Sequence, residues 1–498
     1  MPLEMNDQVK ARMDKLAGIR ELGIEPYPYG FDFSHTSVEL KEQKDALLQT
    51  ETRVSYAGRI VRFNRKGKMT FTHIKDGHGR IQCMITRDIS GIQQYELVKL
   101  LDIGDWVGVE GKMFLTRTGE YTILADKIQL LAKALRPLPI PKEKMENGRK
   151  IIFDEFTDTE TRYRQRYVDL ALNDPVRDTF YKRGKIIHTI RKYLMDNGFM
   201  EVETPVLQPL YGGANARPFV THHNTQDMDL FLRISNELYL KRCIVGGFSR
   251  VFEFSRNFRN EGMDRTHNPE FTILEFYQAF ADYNLMMEHF ENIYADCARE
   301  VTGSTAVIYQ GTSLDLKPPW PRLTMKEALK VHASLDVDSL DDEDLKHEAE
   351  KSGLELKGGF LRGLAIQALF EEHCEKNLLG PVFITDHPRE TTPLCKIHRD
   401  DPDCVERFEP YVNGWEVGNA YSELNDPLLQ RKLLEQQIER GRAGEEETHP
   451  LDEDFLKAME YGMPPIGGVG MGIDRLVMLL TDSPNIKDVL LFPLLRPE

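Results

Sequence analysis

Between residues 55 and 135 apolar and polar positions alternate in short runs, which predicts five strands: SYAGRIVRFN, MTFTHIK, GRIQCMIT, GDWVGVEGKMFLT and EYTILADKIQLL. In the second, Phe71, His73 and Lys75 share a face. In the third, Ile81, Cys83 and Ile85 face one way, and Arg80 and Gln82 the other. KDGHGR between these two reads as a glycine-rich hairpin turn. Further on the pattern lengthens. Asp174 can cap a helix with Pro175 in its first turn, and Val176, Phe180, Ile187, Ile190 and Leu194 then recur at helical spacing until Asn197-Gly198. FMEVETP follows as a strand stopped by Pro205, and the N-terminal MPLEMNDQVKARMDKLAGIRELG reads as a short amphipathic helix.

Two further strands carry an unusual load. In VFEFSRNFRNE, Phe252, Phe254 and Phe258 fall on one face and Glu253, Ser255, Asn257, Arg259 and Glu261 on the other. In PEFTILEFY, Phe271, Ile273, Glu275 and Tyr277 share a face, with residues 262–268 as the connection. If the two polar faces coincide, Arg259, Glu261, Phe271, Glu275 and Tyr277 line one cavity. Arginine grips phosphate oxygens bidentately, phenylalanine offers a stacking platform, and glutamates take an ammonium group or a metal. A nucleoside triphosphate beside a cationic substrate suits that set; a charged sheet edge is the plainer alternative.

A third run, NGWEVGNAYSELND, alternates Asn419, Tyr421 and Glu423 onto one face. Glu409, in RFEPY, lies seven residues before Glu416, and two such carboxylates can share Mg2+ with phosphates. Strict alternation sets Glu416 opposite Asn419, so that role requires a bulge or twist. PPIGGVGMGIDRLVMLL permits close backbone approach and then presents a helix N-terminus and Arg475. Its glycine spacing and its place at the chain end argue against a dinucleotide fingerprint.

Composition changes the picture in one respect. The 498 residues suggest two or three domains, and 41% hydrophobic with 29% charged residues describes an ordinary globular protein without an apolar run long enough for a membrane span. The net charge of −16 is unevenly spread: residues 1–150 carry 25 Lys+Arg against 20 Asp+Glu, leaving 39 against 60 in the remainder. From Arg59 to Arg87 eight basic residues face only Asp76, which points to a polyanion partner for the small barrel. Six scattered cysteines without a CxxC fit a reducing, cytoplasmic setting, and Cys395, His398 and Cys404 read as free thiols beside a histidine. RPLPIPKEKMENGRK reads as a stiff extended linker, and residues 322–400 as a helical acidic stretch of unassigned role.

Taken together, GFMEVETP, FRNEGMDRTHNPEF and GVGMGIDR resemble motifs 1, 2 and 3 of the class II aminoacyl-tRNA synthetases. GGANARPFVTHHN, RISNELYLKR, HNPEFTILEFY and GNAYSELND narrow the resemblance to the bacterial lysyl type, over nearly the whole chain. The resemblance implies an α+β fold: an antiparallel catalytic sheet flanked by helices, preceded by an all-β OB-fold barrel. It divides the chain into a helical extension (1–50), an anticodon-binding barrel (51–135), a linker (136–160) and a catalytic domain (161–498) with a helical insertion at about 322–400. It implies ligation of L-lysine to lysine tRNA through a lysyl-adenylate, with ATP as substrate, Mg2+ as cofactor and a homodimer formed through motif 1.

By the same resemblance Arg259 and Arg475 are catalytic. Arg259 meets the ATP α-phosphate and the lysine carboxylate, and Phe271 and Arg475 sandwich the adenine. Glu261 lies at the adenine side, and His267, with Asn268 beside it, reaches the terminal phosphates. Glu409 and Glu416 hold magnesium. Gly213 and Glu237 take the α-amino group, Asn419 the carboxylate, and Tyr277 and Glu423 the side-chain ammonium, with Glu275 nearby. In the barrel Phe71, Gln82 and Glu120 read the central anticodon uridine. The family often has a basic residue just before the motif 2 histidine; here Thr266 stands there and Arg265 one position earlier. An aspartyl or asparaginyl enzyme is the nearest alternative, opposed by Glu423 and by the lack of a candidate Arg or Lys for the pocket. A lysine ligase for a protein acceptor would lack the barrel of residues 55–135, and a non-catalytic RNA-binding protein predicts a broken motif 2 or 3, whereas Arg259, Glu261 and Arg475 are all present; a secondary dinucleotide-signalling activity is compatible with the family.

Overall fold

The computed structural model describes residues 6–140, 142–146, 149–153, 156–214, 216–354, 360–442 and 451–497. The chain divides into two compact units, Met1–Arg162 and Tyr163–Glu498.

In the first unit, strands Arg53–Lys66, Met69–Lys75, Arg80–Thr86, Trp106–Leu115 and Tyr121–Ala132 close into a barrel. The first and fourth strands pair antiparallel and the third and fifth parallel, which closes the circuit and leaves no free edge. Period-two alternation buries Val54, Tyr56, Ile60, Ile74, Ile81, Cys83, Ile85 and Ile123 and turns Phe71, His73 and Gln82 outward. Two helices between the third and fourth strands, Arg87–Ser90 and Ile92–Leu100, add Tyr95, Leu97 and Val98 to this core. The N-terminal helix, Asp7–Glu21, is capped by Asn6, whose side chain accepts from Val9 N at 2.9 Å, and it buries Val9, Leu16 and Ile19.

The extended-linker reading of 136–150 needs correction where the residues are described: Lys142–Glu146 and Arg149–Phe153 pair as an antiparallel hairpin. Residues 141, 147 and 148 of that linker lie outside the described residues.

The second unit is built on one sheet. Its six central strands, Val382–Pro388, Cys404–Val412, Gly418–Ser422, Ile466–Gly472, Glu270–Ala279 and Arg250–Phe258, are antiparallel to their neighbours in that order. Short parallel strands, Arg322–Thr324 and Met200–Glu201, flank the two edges, so the sheet is mixed at its margins. Helix Tyr283–Thr302, capped by Asp282, lays Met286, Phe290, Ile293, Tyr294 and Cys297 into the largest core. Helix Asp174–Asp196 joins that core through Ile186, Ile190 and Leu194. Asp174 is its first helical residue rather than its cap; Asn173 occupies the cap position without a side-chain hydrogen bond.

The helical reading of 322–400 is also incomplete. Helices Met325–Ala333, Asp342–Lys351 and Arg362–His373 surround a separate apolar cluster, but the same stretch supplies strands Arg322–Thr324 and Val382–Pro388. Residues 355–359 of it lie outside the described residues.

Candidate active site

One cavity of about 440 Å3 opens on the sheet of the second unit. Arg259, Glu261, His267, Asn268, Phe271, Arg475, Gly213, Glu237, Glu275, Tyr277, Asn419, Glu423, Glu409 and Glu416 all line it. The hairpin register explains why: Asn257 faces Phe271, Ser255 faces Ile273 and Glu253 faces Glu275, so the polar positions of both strands share a surface.

At one end the side chains suit a polyanion and a flat ring. The Arg259 guanidinium lies 5.1 Å from the Phe271 ring centroid, and its Nε has no hydrogen-bond partner. Burial pulls the Arg259 pKa down, while Glu261, Glu416 and Glu275 support its charge. The connecting loop is organised by Asp264, whose Oδ1 accepts from Thr266 N at 2.7 Å and His267 N at 2.8 Å. Burial would raise the Asp264 pKa, but those bonds and the His267 ring hold it down at about 2. Arg475 donates to His267 Nε2 at 3.2 Å, which places the imidazole proton on Nδ1, where it is donated to Asp264 Oδ2 at 2.8 Å.

Glu416 reaches this end because the strand breaks at Val417. Trp415–Glu416 pairs only with Cys404–Val412, whereas Gly418–Ser422 also pairs with Ile466–Gly472. The irregularity lets Glu416 and Asn419 line the same cavity despite their odd spacing. Burial and Glu409 push the Glu416 carboxyl up, and Arg475, 3.2 Å from its Oε2, opposes them. Glu409 accepts from Tyr411 OH at 3.0 Å and from Arg407. Two carboxylates that repel one another and face a space for phosphates fit Mg2+, which binds through one or two carboxylates plus substrate oxygens. Among the described residues no group of three or more His, Cys, Asp or Glu is arranged to hold a metal unaided.

The other end is acidic and dry. Glu237, Glu275 and Glu423 are all buried around Tyr277 and Tyr421. Glu275 accepts from Ser235 Oγ and Tyr277 OH, both at 3.0 Å; burial and then Glu237 push its pKa up to about 7. Tyr421 OH donates to Glu237 Oε2 at 3.0 Å. Glu423 is only 1% exposed; its Oε2 touches the Lys241 ammonium, and its Oε1 has no hydrogen-bond partner. An ionised carboxylate so placed still costs free energy, because Glu423 must share Lys241 with Glu237. Gly468 is required here, because a Cβ on it would meet Glu423 Oε1 at 2.1 Å and Tyr277 Cε1 at 2.5 Å.

Several pocket residues escaped the sequence reading. The expectation that no Arg or Lys stands near the pocket is incorrect. Arg407 lines the cavity and donates to Asn419 Oδ1 at 3.0 Å, and Lys241 lies behind the acidic end in contact with Glu237 and Glu423. Each is neutralised by glutamates. The two-residue spacing of Arg407 and Glu409 was a usable signal; the contact of Lys241 with Glu423 was not. Thr391–Leu394, from the stretch beyond the helices, also line the cavity.

On the barrel, Gln82 Nε2 donates to Glu120 Oε2 at 2.7 Å, and His73 lies 3.1 Å from Glu120 Oε1. Phe71 pairs with Met84, which makes it a diagonal neighbour of Gln82 on the outward face.

An antiparallel sheet with an arginine–phenylalanine pair, a carboxylate pair and an acidic pocket on one face, in a chain that also carries a five-stranded OB barrel, defines a class. The chain belongs to the class II tRNA synthetases (D, K and N), whose family model matches residues 158–496; a model for the OB-fold nucleic acid binding domain matches residues 54–131. Within that class it is 49% identical over 494 residues to a lysine--tRNA ligase of Moorella thermoacetica, covering 99% of this chain and 98% of the relative. It is 49% identical over 499 residues to one from Pelotomaculum thermopropionicum (99% and 96% covered) and 47% identical over 504 residues to one from Porphyromonas gingivalis (100% and 86%).

Proposed function

We propose that the chain ligates L-lysine to the 3′ end of lysine tRNA in two steps through a lysyl-adenylate. The observation that carries the choice of lysine is Glu423, a buried carboxylate whose Oε1 lacks a hydrogen-bond partner and whose Oε2 shares Lys241 with Glu237, at the acidic end of the cavity that holds Arg259 and Phe271. Rejecting neutral and acidic side chains follows, since each would leave buried negative charge uncompensated at that end at a cost of several kcal/mol, roughly.

In this reading ATP binds with its adenine on Phe271 and under Arg475, near Glu261, and its terminal phosphates toward His267 and Asn268. Gly213 and Glu237 receive the α-ammonium, Asn419 the carboxylate, and Tyr277 and Glu423 the side-chain ammonium, with Glu275 nearby. The lysine carboxylate is already ionised, so no general base is needed. Its oxygen attacks the α-phosphorus, the bond to the bridging oxygen breaks, and pyrophosphate leaves with the electron pair. Arg259 stabilises the charge that develops between the two substrates. Glu409 and Glu416 would hold Mg2+, which supplies charge neutralisation for the phosphates. The tRNA 3′-terminal ribose hydroxyl then attacks the lysyl carbonyl and releases AMP.

The barrel, taken as 51–135 after an extension of 1–50, binds the anticodon through Phe71, Gln82 and Glu120; its basic stretch supports contact with RNA. Residues 136–160 link it to the catalytic domain, 161–498. A homodimer is supported by the exposed apolar side chains of Met195, Met200, Val206 and Leu207 around the first motif. Among the described residues no helix is long and apolar enough to cross a membrane, and free, buried cysteines suit a cytoplasmic setting.

Amino-acid-dependent ATP–pyrophosphate exchange against all twenty amino acids tests the reading, with Glu423→Gln alongside. Exchange with lysine alone, lost in the variant, is expected. Exchange with aspartate or asparagine would overturn the pocket assignment.

A further inference from the structure

The acidic end of the cavity contains a charge that the reaction does not use. Lys241 is 1% exposed and does not line the cavity. It sits one turn beyond Glu237 on helix Glu237–Val245 and donates to Glu237 Oε1 at 2.5 Å. Its ammonium also touches Glu423 Oε2, and it lies 5.5 Å from the centroid of the Tyr421 ring. Against the three buried carboxylates of this end, Glu237, Glu423 and Glu275, this one cation, which touches the first two, leaves two negative charges over. L-lysine brings two ammonium groups.

We propose that Lys241 is a positioning residue that sets the charge demand of the amino-acid pocket at two, so that a substrate with two ammonium groups brings it to neutrality. This rests on the reading that Glu423 receives the side-chain ammonium. Without Lys241, three uncompensated carboxylates would share a dry pocket, and one would keep a proton even with substrate bound. With it, Glu237 and Glu423 are also fixed in place: Glu237 is held between Lys241 and Tyr421, and Glu423 stays beside the Tyr277 ring over Gly468.

The groups that face Lys241 are consistent with this count. Burial works against its charge, yet Glu237 and Glu423 hold it protonated. Burial raises Glu423, Lys241 draws it down and Glu237 raises it again; Glu275 stands at about 7. Tyr277, Tyr421 and Cys395 are pushed up by burial and stay neutral, the Arg407 charge partly opposing that rise at Tyr421 and Cys395. Glu275 thus holds a proton up to about pH 7 in the empty pocket, Glu423 is raised in the same direction, and lysine displaces what they hold. Below about pH 7 its binding weakens and above it binding is full.

The test compares wild type with Lys241→Met and Lys241→Arg by lysine-dependent pyrophosphate exchange between pH 6 and 9.5. In Lys241→Met the acid limb of kcat/KM for lysine is expected to move up by about one unit or more, with KM for lysine raised about tenfold or more at pH 7 and less at pH 9. KM for ATP stays unchanged, and Lys241→Arg, which keeps the charge, restores the wild-type limb. Equal losses at every pH in a folded Lys241→Met would make the residue merely structural and overturn the proposal. Should that variant not fold, calorimetry of lysine binding to the wild-type enzyme in two buffers of different ionisation enthalpy decides. Proton release at pH 7 is expected, and its absence refutes the charge count. Glu423→Gln separates the two readings. If it abolishes lysine use while Lys241→Met leaves the pH limb in place, this proposal alone fails; an unchanged KM for lysine in Glu423→Gln removes the pocket reading beneath it.

Discussion

Replacing Gly468 by alanine probes the lysine pocket without removing any functional group. The residue lies in strand Ile466–Gly472, opposite Tyr277 on one side and Tyr421 on the other. An added Cβ would overlap Glu423 Oε1 at 2.1 Å and the Tyr277 ring at 2.5 Å, so one or both side chains must move. Glu423 is the more easily displaced, because Lys241 alone holds it, whereas Tyr277 is a buried ring that also donates to Glu275. Losing the charge-assisted contact with a substrate ammonium costs about 1.5–3 kcal/mol. That corresponds to a rise of about 10- to 150-fold in KM for lysine. Overpacking adds a stability loss of about 1–3 kcal/mol. Pyrophosphate exchange at varied lysine measures the first, thermal unfolding the second, and ATP binding without lysine serves as the internal control. A folded Gly468→Ala enzyme with wild-type KM for lysine would refute the placement of the side-chain ammonium at Glu423.

Three further outcomes are expected. In the wild-type enzyme, kcat/KM for lysine falls as pH drops through about 7, because Glu275 is raised to that value and must be ionised to meet a cation; a flat profile from pH 6 to 8 would contradict it. Glu416→Gln raises the Mg2+ concentration for half-maximal exchange by about tenfold or more, and an unchanged Mg2+ titration would exclude it as a ligand. Phe71→Ala raises KM for tRNA in the charging reaction by about 5- to 150-fold, from the loss of about 1–3 kcal/mol of base stacking, while exchange without tRNA is untouched. A matching loss in exchange would mean that the barrel substitution disturbs more than RNA binding.

The barrel and the hairpin were legible in the sequence because period-two alternation is local. Ile81, Cys83 and Ile85 face inward as read, and Arg259, Phe271 and Glu275 share a surface because the hairpin has no register shift. What escaped depends on long-range packing. Lys241 lies 182 positions before Glu423, and only the sheet that runs between their elements brings them together. The break at Val417 leaves no local mark, so the pairing of Glu416 with Asn419 in one cavity had to await the structure. The stretch 322–400 was misread in part because its strand VFITDHP is buried along most of its length and carries no alternation to reveal it.

Strand Glu270–Ala279 carries Phe271 at the nucleotide end of the cavity and Glu275 and Tyr277 at the amino-acid end. At about 3.3 Å per residue, Phe271 and Tyr277 stand about 20 Å apart along one ladder-bonded rod. On the proposed reading, the spacing between the two substrates is written into backbone geometry, like graduations on a ruler. Side chains at either end can be exchanged to suit a different amino acid while the graduation stays fixed. A single inserted residue between them would turn every later side chain to the opposite face and lose both the distance and the pocket at once.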